Sequence, residues 1–163
     1  MEEKKRVIET VIPLAALQAL TPEAIEAVPP VFLLGENVVA LHQFPYRIGR
    51  ESRLQRMDGE VQRVIRPKPS ATVPNNDLYL IDPFLSVNIS REHLQIEKHE
   101  EVFMLQDRGS ATGTSIIRKD SGKAEKGNSF ILNDGDIISI GTEGSPYLFK
   151  FFSFSEIRVL FPD

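Results

Sequence analysis

From Val31 to Phe154 the chain is a succession of short, apolar, β-prone runs cut by turn residues, with no long amphipathic helix between them. Val31-Phe32-Leu33-Leu34, Val38-Val39-Ala40-Leu41, Leu78-Tyr79-Leu80-Ile81 and Val102-Phe103-Met104-Leu105 are such runs. Ile137-Ile138-Ser139-Ile140 and Tyr147-Leu148-Phe149-Lys150-Phe151-Phe152 continue the series. Between them stand Gly35-Glu36-Asn37, Asn75-Asn76-Asp77, Asn133-Asp134-Gly135 and Glu143-Gly144-Ser145-Pro146, built from the residues that turns favour. Many short strands with regular punctuation predict an all-β fold, an antiparallel sandwich of two sheets. At 163 residues the chain is long enough for one domain with a proper core and some appendages. No internal repeat is visible.

Residues 1–30 differ in style. Val7, Val11, Leu14 and Leu17 fall at helical spacing, but Pro13 argues against one continuous helix. Thr21-Pro22-Glu23 reads as an N-cap, a proline at the first helical position and an acid in the first turn. That helix is expected to end before Pro29-Pro30. The expectation is a helical or partly ordered extension over 1–30, a sandwich over 31–154 and a short tail over 155–163. The sandwich is interrupted by an insertion at 51–75. There Arg53, Arg56, Arg63, Arg66 and Lys68 stand against Glu51, Asp58 and Glu60, a local charge of +2. Glu60-Val61-Gln62-Arg63-Val64-Ile65 is expected to add a strand, as one arm of a hairpin around Asp58-Gly59.

A formal charge of −4 and a pI near 5.5 argue against bulk binding to nucleic acid or anionic membrane. The insertion's +2 without interleaved aromatics is a poor nucleic-acid site. No cysteine is present, so neither a disulfide framework nor a thiolate nucleophile is available. Glu9, Pro13 and Gln18 interrupt the apolar stretch behind Lys4, Lys5 and Arg6, which argues against a signal peptide or membrane span. A soluble, cytoplasmic, monomeric protein is the expectation. His42 and His99 make no metal-ligand spacing with carboxylates, and no Gly-x-x-x-x-Gly-Lys phosphate loop occurs. No metal or cofactor is expected.

Four pieces stand in a fixed order along the β region. They are Tyr46-Arg47-Ile48-Gly49-Arg50, then Asn88-Ile89-Ser90-Arg91-Glu92-His93-Leu94, then Asp107 through Thr114, then Leu132-Asn133-Asp134-Gly135-Asp136 running into Ile137-Ile138-Ser139-Ile140-Gly141. With Asn76-Asp77-Leu78, this combination resembles the forkhead-associated (FHA) domain, a phosphothreonine-binding β-sandwich; the resemblance runs from about Val31 to Phe154. It implies a phosphoprotein-binding module in Ser/Thr kinase signalling rather than an enzyme. The partner it implies is a phosphothreonine-containing protein, a Ser/Thr kinase or a substrate of one.

The chemistry fits that implication. A phosphothreonine carries close to two negative charges and three strong acceptors. Arg50 supplies a planar cation able to grip phosphate in bidentate fashion, and Ser90 supplies a compact hydroxyl donor. By resemblance these two are the principal phosphate ligands. Charge-assisted hydrogen bonds contribute about 1.5–3 kcal/mol each, a large part of the roughly 8 kcal/mol behind micromolar binding. The resemblance also assigns His93 to bracing the binding loops and Asn88 to influencing the third position after the phosphothreonine. Gly49 and Gly113 are expected to supply permissive backbone at tight turns.

Two positions depart from the family pattern. Thr112 stands where an asparagine usually bridges to the bound peptide's backbone, and Ala111 where threonine is frequent. A hydroxyl is shorter than an amide and has one donor, so binding is expected to weaken by about 0.5–1.5 kcal/mol. Arg91 and Arg108 are candidates for electrostatic compensation. Three other readings compete. One is a catalytic set of Ser90, His93 and Asp107, which lacks the Gly-x-Ser-x-Gly elbow. Another is a scaffold that has lost phosphopeptide binding and works through a different surface. The third is nucleic-acid binding by the insertion, which its charge and composition disfavour. Separately, phosphorylation of Thr10 or Thr21 is a regulatory expectation, folding the N-terminal segment back onto Arg50 and Ser90.

Overall fold

A computed structural model describes residues 2–63, 73–82 and 88–155. In chain order the elements are α1 (Glu2–Val11), β1 (Ala15–Ala19), α2 (Pro22–Ala27), β2 (Val38–Leu41), β3 (Tyr46–Arg50), β4 (Leu54–Met57), β5 (Glu60–Arg63) and β6 (Leu78–Leu80). They continue with β7 (Leu94–His99), β8 (Val102–Asp107), β9 (Thr114–Ile117), β10 (Ala124–Gly127), β11 (Ser129–Leu132), β12 (Ile137–Ile140) and β13 (Leu148–Ser153). Two sheets form the sandwich, one ordered β10-β9-β12-β13-β1-β2 and the other β11-β8-β7-β3-β6. Pairing is antiparallel except between β3 and β6, which run parallel. The expected all-β sandwich is the observed fold.

Alternation along the strands builds the core. Ile48, Leu94, Ile96 and Leu105 from one sheet face Leu17, Ile116, Ile138, Phe149 and Phe151 from the other, and all are buried. Phe44, Phe103 and Phe151 meet edge to face, with ring centroids 5.3 and 5.2 Å apart, a favoured arrangement for aromatic quadrupoles.

The N-terminal segment is a correction. Helices do form at α1 and α2, and Thr21 caps α2 by accepting from the Ala24 amide at 3.2 Å. Between them, however, Ala15–Ala19 is an inner strand of the larger sheet, paired with β13 on one side and with the edge strand β2 on the other. Ala16 and Leu17 point to opposite faces and are each about 1% exposed. A strand buried on both faces shows no polar alternation, and alanine is a poor strand former. The sequence of this strand therefore hides its place.

The run Val31–Leu34 is the second correction. Pro30–Phe32 forms a 3₁₀ turn, with Leu33 donating to the Pro30 carbonyl at 3.1 Å, and Val31 is 85% exposed. The Phe32 amide likewise donates to the Pro29 carbonyl at 2.9 Å, so these donors close turns instead of a ladder. The expected hairpin around Asp58-Gly59 forms from β4 and β5, with positive φ at both turn residues, the geometry that matches strand twist. Residues 64–72 of the insertion and 156–163 of the tail lie outside the described residues.

Since Leu17 sits in the core, Leu17→Ala should cost about 2–5 kcal/mol in urea unfolding. A loss within about 0.5 kcal/mol, as for surface positions, would return residues 1–30 to the status of an appendage.

Candidate functional site

The strand registers bring several loops to one end of the sandwich. Ile48 pairs with Leu94, Leu94 with Asp107, and Thr114 with Ile140. The chain after Arg50, the loop 88–93, the loop 108–113 and the loop after Ile140 therefore converge.

His93 ties them together. It is fully buried, and its Nδ1 accepts from the Ser90 amide at 2.9 Å while Nε2 lies 3.0 Å from the Gly113 carbonyl. Accepting at Nδ1 places the proton on Nε2, which donates to Gly113. Gly113 is at φ 85°, where glycine is free of steric cost, and its carbonyl also accepts from the Gly141 amide at 3.0 Å. One imidazole thus ties the loop before β7 to the loop between β8 and β9, and through the Gly113 carbonyl to the loop after β12 of the other sheet. Burial pushes its pKa down, against the opposing hydrogen bond to Gly113 and the nearby Asp107 charge.

Asp107 steadies the second loop. Its carboxylate accepts from the Ser110 amide at 2.7 Å, the Ser110 hydroxyl at 2.6 Å and the Thr114 hydroxyl at 2.7 Å. Burial acts to raise its pKa, but the bonds from Ser110 and Thr114 outweigh burial and hold it below the usual carboxylate value.

Gly49 has a different function from the one expected. It lies within β3 rather than at a tight turn, and a Cβ there would run into the Arg91 carbonyl and come within 2.7 Å of the Asn76 amide nitrogen. Its missing side chain lets the loop 88–93 press against β3. The Asn76 side chain then donates to the Arg91 carbonyl at 2.7 Å.

On this base Arg50, Pro74, Ile89, Ser90, Arg91, Glu92, Arg108, Gly109 and Ala111 line a cavity of about 360 Å³. Three arginines against one glutamate give the wall a charge of +2 within a chain of −4. Arg50 is aimed by its backbone amide donating to the Ser90 carbonyl at 2.8 Å and its Nε donating to the Ile89 carbonyl at 3.0 Å. Its terminal nitrogens bond to no described residue. Ser90 Oγ accepts from the Ala111 amide at 2.9 Å, which leaves its own O–H to donate.

Arg50, Ser90 and Arg91 therefore share one cavity, and Gly49, His93 and Gly113 lie beneath it. Asn88 and Thr112 do not line it. Thr112 Oγ1 donates to the Asn88 carbonyl at 2.6 Å, and Asn88 Oδ1 accepts from Thr142 at 2.9 Å. The two join neighbouring loops and leave the Thr112 hydroxyl committed. Sequence reasoning missed Glu92 as part of the wall and Asn76 as a support behind it, bonded to the Arg91 carbonyl and to Arg108, because their roles depend on side-chain pairing across loops. Arg108 is present, but its charge is matched by Glu92 at 2.5 Å.

The geometry does not assemble a triad from Ser90, His93 and Asp107. Both His93 ring nitrogens face backbone groups, and Asp107 bonds to Ser110 and Thr114. Nor does the fold give phosphorylated Thr10 a short path to Arg50, and the Thr21 hydroxyl is already engaged. Thr21 Oγ1 is engaged by the Ala24 amide and the Pro146 carbonyl. Thr10 lies on α1, which enters the sandwich at Ala15, the end of β1 paired with Ser153 and away from the site. Among the described residues no group of three or more His, Asp or Glu is placed to hold a metal, and no helix is long and apolar enough to cross a membrane.

The fold and site define a β-sandwich that presents a cationic cavity on loops at one end. The FHA domain family model matches residues 46–141, and the chain belongs to the FHA-domain family. Similar solved structures include Mycobacterium tuberculosis EmbR in complex with a low-affinity phosphopeptide, at 19% identity and TM-score 0.49 over 93% of this chain and 29% of that one. This chain thus spans less than a third of EmbR's length. The FHA domain of CT664 from Chlamydia trachomatis matches at 17% identity and TM-score 0.47, over 86% of this chain and 98% of that one. An FHA domain of an Arabidopsis thaliana protein matches at 20% identity and TM-score 0.46, over 88% and 86% respectively. No curated protein matches the sequence.

The depressed His93 pKa fixes the sign of a pH effect. An imidazole that binds protons less well folded than unfolded contributes full stability above its unfolded value near 6.5, and that contribution falls as pH drops through it. Urea unfolding between pH 7.5 and 5.5 should show stability falling with acidification by at most about 1.4 kcal/mol per pH unit. His93→Gln should lose most of that slope. A wild type equally stable at both values would contradict the neutral, buried imidazole.

Proposed function

We propose that the cavity holds the phosphoryl group of a phosphothreonine in a partner protein, with Arg50 and Ser90 as its principal ligands. What carries this reading is the pair of unengaged donors in one cavity, the Arg50 terminal nitrogens and the Ser90 O–H. FHA domains are binding modules rather than enzymes and generally take phosphothreonine. The wall charge of +2 balances a phosphoryl group of nearly two negative charges. Arg91, exposed at the rim, meets the flanking peptide. The partner is a Ser/Thr kinase or a kinase substrate, and the setting is cytoplasmic signalling.

The engaged Thr112 hydroxyl shapes the expected affinity. Its single donor is spent on the Asn88 carbonyl, so it can accept from a peptide N–H in place but can donate to a peptide carbonyl only by exchanging that bond at no gain. Asn88, bonded to Thr142, is a neutral position with no charge preference for the residue it meets. A small pocket for the threonine methyl adds only about 0.8 kcal/mol, roughly fourfold over phosphoserine. The same engagement of Thr112 favours the alternative, a scaffold that has lost phosphopeptide binding and uses another surface.

A degenerate phosphothreonine peptide library separates the two. Wild type should retain a subset of peptides. Arg50→Ala should weaken the best of them about a hundredfold and Ser90→Ala about tenfold, as befits charge-assisted bonds of about 1.5–3 kcal/mol. No retained peptide, or equal retention by Arg50→Ala, would favour the scaffold.

A further inference from the structure

Besides Arg50 and the exposed Arg91, the cavity contains a guanidinium whose state is set by the protein itself. Arg108 NH1 donates to the Asn75 carbonyl at 2.9 Å and to Asn76 Oδ1 at 2.9 Å, and NH2 donates to Glu92 Oε1 at 2.5 Å. A guanidinium has five N–H groups, so two of Arg108's have no partner among the described residues. The side chain is 16% exposed, yet it lines the cavity that Arg50 and Ser90 share. Glu92 Oε1 also accepts from the Asn75 amide at 3.2 Å. Its carboxylate thus both fixes Arg108 and neutralises it. Neither of the two spare N–H groups is sealed off without an acceptor, so in a cation lining an anion site they are open to an acceptor carried by the ligand.

We propose that Arg108 is a second cation of the phosphate site, and that Glu92 acts through it as an internal counter-ion limiting the site's affinity for phosphothreonine. The proposal rests on the reading of the cavity as a phosphate site. Glu92 orients Arg108 by a bond that a neutral amide oxygen can also accept, so its charge and its positioning are separable. In Glu92→Gln the oxygen still receives Arg108 and Asn75, while the wall charge rises from +2 to +3. The attraction for a dianion then grows although no ligand contact is added. Arg91 is exposed and has no described side-chain partner, so Glu92 acts on Arg108 rather than on it. The ligand class that responds most is a doubly charged phosphoryl group, and a singly charged carboxylate responds less.

The experiment titrates the ¹⁵N-labelled full chain with N-acetyl-phosphothreonine-N-methylamide at pH 7.5, following the Ser90 and Ala111 amides. Glu92→Gln should lower Kd roughly tenfold, the scale of one extra charge at partly screened range. That gain should shrink in 0.5 M NaCl, where the Debye length falls to a few ångströms (about 4 Å). Arg108→Met should weaken binding and remove most of the Glu92→Gln gain. Unchanged or weaker binding by Glu92→Gln would overturn the proposal, as would a gain indifferent to salt or one that persists in full with Arg108→Met. Should Arg108→Met lose its amide dispersion, the salt test on Glu92→Gln alone decides. Arg50→Ala, measured alongside, keeps the two readings apart: binding by it equal to wild type would instead remove the phosphate site itself.

Discussion

The arrangement of loops at the end of this sandwich depends on one buried imidazole. Two stacked sheets share a core, but nothing in a core aligns the loops that leave different sheets. His93 does so by accepting from Ser90 and donating to Gly113, whose carbonyl Gly141 also reaches. A neutral ring is required, since a protonated Nδ1 cannot accept. Burial enforces that neutrality by penalising the charged form. A hydrophobic residue of similar size would fill the space but leave the Ser90 amide without its acceptor, at a cost of about 1–3 kcal/mol, and leave Gly113 only its bond from Gly141.

Around that brace the site is built largely from backbone geometry. Gly49 lets the loop 88–93 lie against β3, the Arg50 amide is bonded to Ser90, and Asp107 folds the opposing loop through Ser110 and Thr114. The side chains that face the cavity can then be few. Arg50 and Ser90 project from strands and loops already pinned at both ends, which is the condition for a preorganised anion site. The charge is local: the wall is positive while the chain as a whole is negative, so attraction is confined to the cavity rather than spread over the surface.

Much of this was legible in the sequence, and the failures have physical causes. The runs from Val38 onward carry strand composition and turn punctuation, so the sandwich follows from them. Spaced motifs carry Arg50, Ser90 and His93, because each must meet the others at a fixed loop geometry. Ala15–Ala19 was not legible: its small side chains satisfy a strand enclosed between β2 and β13 and show no period of two. Val31–Leu34 misled in the opposite direction, for its Phe32 and Leu33 amides close turns onto the Pro29 and Pro30 carbonyls and only Leu34 bridges, to Val38. The reason for Gly49 was also hidden, since close approach of another backbone leaves no trace in the sequence. Glu92, Arg108 and Asn76 form a network across three loops, and no spacing rule links them.

The most direct test of the account is the structure of the protein bound to a phosphothreonine peptide selected from a library. The phosphoryl oxygens should lie within hydrogen-bond distance of the Arg50 terminal nitrogens and Ser90 Oγ, with His93 still joining Ser90 to Gly113. A peptide seated elsewhere on the sandwich, or a phosphate held without Arg50, would contradict it.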